Sequence, residues 1–369
     1  MAKNILIAAD SFKGSLKAQR VASCIARGWH SARSRDRITY QPLSDGGENF
    51  AELLASHLPT TRHQTKVVQI DGVARPTPWF KTQTKGIALI DAASVIGLSR
   101  CAGIPVAKRD SSALAQVLVN ISTKKPKQII LGLGGSGTND GGFGLAKALG
   151  WKFLQANGQE IKNWMQLNKA TALQPPSSES SLGNIVVAAD VNNTLLGAKG
   201  ATYTFGPQKG LTKAQLPKAE EALKNMAKLV EQHLGKRFKN LPHTGAAGGL
   251  GFALKAFLNA EVQSGFNFFA QQTDLFNKTK QADLVICAEG NFDQTSLMGK
   301  ASGEIAKHCQ ANRIPCLLLC ATSDSRKNIE SYFQKTKRLS DMVDKNESLK
   351  RPSYWLQKLA REAALELHA

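Results

Sequence analysis

Residues able to do chemistry are concentrated in a few short segments, and the densest is Gly132-Leu133-Gly134-Gly135-Ser136-Gly137-Thr138-Asn139-Asp140-Gly141-Gly142. Glycines allow backbone N–H groups to turn toward a polyphosphate, and Ser136, Thr138 and Asn139 add side-chain donors. Asp140 is placed to hold Mg²⁺, which takes few carboxylates and completes its shell with phosphate oxygens and water. The run is neither a G-x-x-x-x-G-K-S/T loop nor a G-x-G-x-x-G turn. A plain strand-to-helix turn needs only one or two of its glycines. Phosphate binding by this loop is therefore expected.

Four further segments carry weaker signals. In Ala9-Asp10-Ser11-Phe12-Lys13-Gly14-Ser15, Lys13 projects from a loop feeding a helix N-terminus, and Asp10 could orient that lysine or a metal. In Leu43-Ser44-Asp45-Gly46-Gly47-Glu48 two carboxylates flank a Gly-Gly that permits close approach of a ligand, although Asp-Gly is also a common turn pair. Phe205-Gly206-Pro207-Gln208-Lys209-Gly210 reads as a rigid turn presenting Gln208 and Lys209, with a β-like Tyr203-Thr204-Phe205 ahead of it. Glu289-Gly290-Asn291-Phe292-Asp293 is followed by Gly299-Lys300. Thr244-Gly245-Ala246-Ala247-Gly248-Gly249 is another small-residue helix entry, open to packing or anion contact, with packing favoured. None of the seven histidines falls in these motifs, and no His/Cys spacing suggests zinc.

The elements that must position these groups are legible. Ile5–Asp10, Gln128–Gly134, Ile185–Asp190, Leu284–Glu289 and Cys316–Cys320 are apolar runs closing on a small or acidic residue, each followed by a loop and a helical pattern. That is the mark of parallel strands in βαβ units. Ligands of open parallel sheets bind outside the carboxyl ends of the strands. Asp10, the 134–142 loop, Asp190 and Glu289 are accordingly the expected site. The first helix is capped by Ser15, apolar at Val21, Ala22, Ile25 and Trp29, and ends near Gly28. A long helix is expected over 217–234, with Leu223, Met226 and Val230 inward and Gly235 as its stop. Val67 to Leu98 reads as short strands and turns.

Composition bounds the function class. The 369 residues are 42% hydrophobic, ample for a core and for two domains. Lys and Arg number 48 against 28 Asp and Glu, giving a net charge of +20. The basic residues are dispersed and lack aromatic interleaving, so nucleic-acid binding is not expected. Asp10 interrupts the first apolar run too early for an export signal, and no window is long enough for a membrane helix. The six cysteines contain no C-x-x-C pair and read as reduced, buried small hydrophobes. A cytoplasmic protein, monomer or homodimer, is expected.

Together the segments at 9–15, 42–48, 134–142, 205–210, 245–249 and 289–294 resemble the type I glycerate kinase family, in collinear order over about residues 3 to 310. The resemblance implies an α/β fold: a flavodoxin-like parallel-sheet domain (1–64, 100–190 and 265–369) with a smaller α/β domain inserted (65–99 and 191–264) and a cleft between them. It implies ATP- and Mg²⁺-dependent phosphorylation of D-glycerate, with 2-phosphoglycerate favoured over 3-phosphoglycerate. Phosphoryl transfer asks for positioning and charge neutralisation. On that basis Lys13, Asp45, Asp190 and Asp293 are the expected catalytic residues. Ser11, Gly134, Gly135, Ser136, Thr138, Asn139, Gly141, Gly142 and Lys300 are expected at the nucleotide, and Asp10, Glu48, Lys209, Glu289 and Asn291 at the substrate. Asp140 and Asp190 are the expected metal ligands.

Several positions depart from the family pattern. A Thr-Ser-x-Gly-Thr-Gly-Glu segment is replaced by Arg109-Asp110-Ser111-Ser112-Ala113-Leu114-Ala115-Gln116, which without glycine should be stiffer and more helical. The usual Arg of a Glu-Gly-Arg-x-Asp motif is Asn291. Asp91 stands for a Glu and Ile96 for a Ser. These exchanges leave room for a different hydroxy acid as substrate, or for a non-catalytic binding paralogue.

Overall fold

The computed structural model describes residues 2–12, 14–47, 49–178, 182–294, 296–297, 299–323 and 331–367. The strands in chain order are β1 Asn4–Ala9, β2 Arg37–Pro42, β3 Thr60–Val68, β4 Ala74–Thr82, β5 Ile87–Asp91 and β6 Gln128–Gly132. They continue with β7 Lys152–Leu154, β8 Ala172–Gln174, β9 Ile185–Ala189, β10 Glu261–Ser264, β11 Leu284–Phe292, β12 Cys316–Ser323 and β13 Lys335–Arg338. The chain divides into two compact units, Met1–Asp45 with Phe266–Ala369, and Gly46–Gly265.

The first unit is one sheet in the order β2-β1-β11-β12-β13. All four pairings are parallel. Counted within the unit this is the 2-1-3-4-5 order of flavodoxin-like sheets, whose chain direction switches between the first and third strands, here β1 and β11. Both faces are covered. Ile5, Ile7 and Ala9 pack with the helices Ala18–Ala32 and Pro352–Glu366, while Leu6 and Ala8 face the helix Ala301–Ala311. That alternation is the two-residue period of a strand. Gly28 lies inside its helix, where a Cβ would come within 2.1 Å of the Gln357 carbonyl. It marks a close helix approach, not the helix end the sequence suggested. Ser15 does not cap this helix either: its hydroxyl donates to Phe12 O, and Lys17 is the N-cap.

The second unit carries a sheet in the order β10-β9-β6-β5-β4-β3. β10, β9, β6 and β5 are parallel, and the β3–β4–β5 edge is antiparallel. The five apolar runs thus fall into two sheets, where the sequence suggested one. The expected domain limits differ accordingly. β6 and β9 hydrogen-bond into the same sheet as β3–β5, so residues 100–190 belong with the inserted unit, which is the longer of the two. Tyr203-Thr204-Phe205 is helical, within Ala201–Lys209, and Pro207 lies inside that helix. The long helix is Leu216–Leu234, buried through Ala219, Leu223, Met226 and Val230 and stopped by left-handed Gly235. All six cysteines are buried and unbridged. Among the described residues no helix is long and apolar enough to cross a membrane.

Candidate active site

In the first unit the strand ends collect the expected groups. The Asp10 N–H bonds Ala288 O at 2.8 Å, which ties the end of β1 to β11 across the switch point. The Asp10 carboxylate accepts from the Ser11 N–H at 2.5 Å. Leu43 N–H bonds Ala9 O at 2.7 Å, bringing half-buried Asp45 to the same end of the sheet. On β11, Glu289 is only 6% exposed. Its Oε1 accepts from Lys300 Nζ at 3.2 Å and its Oε2 from Ser302 Oγ at 2.5 Å. A buried carboxylate is costly unless paired and hydrogen-bonded, and here it is both. The Lys300 side chain it steadies keeps 31% exposure.

Asn291 sits two residues on, opposite Thr322 of β12. It accepts from Thr322 Oγ1 at 2.7 Å and donates to the Asp293 carboxylate at 2.8 Å. Both ends of its amide are engaged within the protein, so the residue orients Asp293. Lys13 and Glu48 lie outside the described residues.

In the second unit the loop after β6 is more buried than its glycine content suggested. Gly134 N–H bonds Gly46 O at 3.0 Å, Leu98 N–H bonds Gly135 O at 2.9 Å and Gly137 N–H bonds Ile96 O at 2.7 Å. Gly135 is exposed and Gly134 half-buried, Ser136 is 6% exposed, and everything from Gly137 to Gly144 is buried. The later glycines serve packing. A Cβ on Gly142 would meet the Ala253 Cβ at 2.1 Å, and one on Gly141 the Leu223 side chain at 2.8 Å. Thr138, Asn139, Gly141 and Gly142 are therefore enclosed by their own unit, contrary to the expectation that they face phosphates.

Asp140 is the hub of that packing. It is 0% exposed and accepts from Ser111 N–H (2.8 Å), Ser111 Oγ (2.8 Å), Gly144 N–H (2.9 Å) and Gly142 N–H (3.2 Å). Burial, with neighbouring Asp110, pushes its carboxyl pKa up, while the donations from Gly144 and Ser111 pull it back. Its oxygens are committed to the protein, which does not fit a Mg²⁺ ligand. Among the described residues no group of three or more His, Cys, Asp or Glu is placed to hold a metal ion. Asp190 is half-buried and directly follows β9.

Lys209 was expected on a turn facing substrate. It is instead the last residue of a helix and 5% exposed, donating to Ser136 Oγ at 3.2 Å and Thr138 O at 2.6 Å. Burial lowers its pKa to about 8, with Asp140 restoring part of the loss. Arg109 works beside it, donating to Gly137 O at 3.3 Å and Lys209 O at 2.8 Å. The two cations hold the carbonyl side of the loop. Sequence reading missed Arg109, Ser111 and Ser302. Of these only Ser302 carried a usable signal, a hydroxyl two residues after a lysine at a helix start. The glycine-free segment does become helical, over Ser112–Ser122, and Ser111 just ahead of it serves Asp140.

A flavodoxin-type sheet with carboxylates and a steadied lysine at its switch point is the framework of a metabolite-handling α/β enzyme. A family model described as the glycerate kinase family matches residues 5–368. A glycerate kinase of Halalkalibacterium halodurans is 34% identical over 329 residues, 86% of this chain and 85% of that protein. A glycerate 2-kinase of Escherichia coli is 34% identical over 304 residues, 80% and 79% of the two chains. A crystal structure of a glycerate kinase 2 candidate from Salmonella typhimurium superposes with a TM-score of 0.79 at 28% identity, covering 100% of this chain and 99% of that one. The chain belongs to the glycerate kinase family and is an enzyme of that class, a phosphotransferase with an alcohol group as acceptor. A kinase of this family implies ATP as the phosphate donor.

Proposed function

We propose that the protein is a type I glycerate kinase that phosphorylates D-glycerate at the 2-position. The observation that carries the reading is the Glu289–Lys300–Ser302 arrangement at the flavodoxin-type switch point, in a chain whose motifs match the family along its length. The name of the Escherichia coli relative, glycerate 2-kinase, supports the choice of hydroxyl. Bound Mg-ATP supplies the phosphoryl group and part of the charge neutralisation.

The chain's own residues then divide as follows. Lys300, fixed by Glu289 and Ser302, offsets negative charge on the transferring group. The Gly135 N–H and the hydroxyls of Ser11 and Ser136 offer donors to phosphate oxygens, while Gly134, whose own N–H is held by Gly46 O, shapes the turn. Asp190 or Asp45 accepts the proton of the attacking hydroxyl, a role worth about 10²–10⁴ in rate. Asp10 orients its own loop through Ser11, and Asp293 is held in place by Asn291. Thr138, Asn139, Asp140, Gly141, Gly142 and Lys209 support the 134–136 loop from within.

The test is release of ADP from Mg-ATP by the purified full chain over a panel of hydroxy acids, with the product position read by NMR. Turnover dependent on D-glycerate and yielding the 2-phosphate is expected. Calorimetrically intact nucleotide binding with no turnover on any acid would remove the kinase reading.

A further inference from the structure

The hydrogen bond between Lys209 and Ser136 has a fixed polarity. Lys209 Nζ donates to Ser136 Oγ at 3.2 Å and to Thr138 O at 2.6 Å. An ammonium has donors only, whereas a hydroxyl has one donor and two acceptor lone pairs. Ser136 therefore accepts from Lys209, and its own O–H is left for another acceptor. Among the described residues that proton has none. The backbone that carries the ammonium is held on both sides. Lys209 ends the helix Ala201–Lys209, left-handed Gly210 follows it, and the Arg109 guanidinium donates to its carbonyl at 2.8 Å.

We propose that Lys209 is a positioning residue for the nucleotide: by holding an Oγ lone pair of Ser136 it keeps that hydroxyl a donor to a phosphate oxygen of ATP. The proposal rests on the kinase reading above, which gives the Ser136 hydroxyl to the phosphates, and adds what fixes the direction of the bond. That direction depends on the charge of Lys209. A neutral amine carries a lone pair and accepts from a hydroxyl, so on deprotonation the Ser136 proton turns to Nζ and leaves the phosphate. Burial brings this change to about pH 8. Of the groups facing Nζ, Asp140 favours the ammonium and Arg109 opposes it. The Cys101 thiol is the third neighbour, and burial raises its pKa from the ordinary 9.0, so it stays neutral through this range. Bound phosphate favours the ammonium in turn, so nucleotide and proton each strengthen the binding of the other.

The experiment measures the Kd of Mg-ATP by calorimetry, with kcat and KM for both substrates, from about pH 6.5 to 9.5. It compares the full-length wild type with Ser136→Ala, Lys209→Met and the double variant. In the wild type, Mg-ATP affinity and kcat/KM for ATP should fall about tenfold or more above pH 8, while kcat, read with nucleotide bound, should fall only at higher pH. Deprotonating a buried lysine stabilises the fold over the same interval, so unfolding does not account for such a loss. Both single variants should weaken Mg-ATP below pH 8, Ser136→Ala by about tenfold, with the KM for D-glycerate unchanged and no limb near pH 8. The double variant should bind no more weakly than Ser136→Ala, because Lys209 acts through that hydroxyl. A limb near pH 8 that survives in Ser136→Ala overturns the proposal, and this reading holds even if Lys209→Met folds poorly. A double variant in which the two losses add overturns it as well, since Lys209 would then be structural only. The expected affinity shifts in a protein that turns over no hydroxy acid remove the kinase reading and leave the Lys209–Ser136 pair standing. Turnover of D-glycerate with a surviving limb does the reverse, and a wild type that does not bind Mg-ATP overturns both.

Discussion

Asp140→Asn separates a structural carboxylate from a metal ligand. In the wild type Oδ2 accepts from the Ser111 N–H, the Ser111 hydroxyl and the Gly144 N–H, and Oδ1 from the Gly142 N–H. An asparagine retains one oxygen. If that oxygen keeps the Oδ2 position, its NH2 faces the Gly142 N–H, a donor against a donor; the flipped amide confronts three donors instead. Hydrogen bonds to charged groups are worth about 1.5–3 kcal/mol each. The retained orientation loses the charge assistance in three contacts and one contact outright, partly offset because a neutral amide costs less to bury. A net destabilisation of about 3–4 kcal/mol follows. For a unit of this size that lowers Tm by roughly 6–16 °C. Calorimetry should show the drop. ATP-dependent turnover, measured per folded molecule at a temperature well below the new transition, should stay within a few-fold of wild type. The reasoning is refuted by the opposite pattern, an unchanged transition with turnover reduced 100-fold or more. Asp140 would then hold metal or act in the chemistry, and its four donors would be secondary.

Two further outcomes are expected. Lys209 titrates near pH 8 in the folded chain against 10.5 when unfolded, because burial disfavours its charge. The resulting cost of about 3 kcal/mol is full below pH 8 and fades as pH rises toward 10.5, so stability should gain with pH across that window, and Lys209→Met should remove the gain in pH-dependent urea melts. Asn291→Arg returns a permanent cation to the end of β11, and kcat/KM for D-glycerate should rise about tenfold or more if the guanidinium reaches the acid. A fall would show that the Thr322–Asn291–Asp293 chain matters more than the charge.

What the sequence reveals and what it hides have physical reasons. The central strands of both sheets are apolar on both faces, so β1, β6, β9, β11 and β12 stand out as runs whatever sheet they join. Membership of a sheet is a long-range pairing that no run encodes. Ile129 of β6 pairs Ile185 of β9, whereas Leu6 of β1 pairs Val285 of β11, and the two sets are equally Val/Ile/Leu-rich. The helix Leu216–Leu234 was legible because its buried residues recur every three or four positions and a glycine ends it. The helix Ala201–Lys209 was not, because it contains Gly206 and Pro207 and has no one-sided apolar stripe.

The glycine-rich loop shows the limit most sharply, because two different demands leave the same residues behind. A phosphate cradle needs glycine so that N–H groups can face outward without a side chain in the way. A crossing of tightly packed elements needs glycine because a Cβ would collide, as at Gly142 against Ala253 and Gly144 against the Ser111 amide at 2.6 Å. Both demands produce a cluster of glycines between a strand and a helix. The distinguishing feature is what the polar residues of the run are given to do. Ser136 meets Lys209 and Asp140 meets four donors of its own unit, whereas Thr138 Oγ1 and Asn139 Oδ1 are buried with no hydrogen-bond partner among the described residues. Only Gly134 and Gly135 keep backbone toward the surface. A loop built this way is stiff by construction, and stiffness is what phosphoryl transfer asks of the few groups that do reach the ligand.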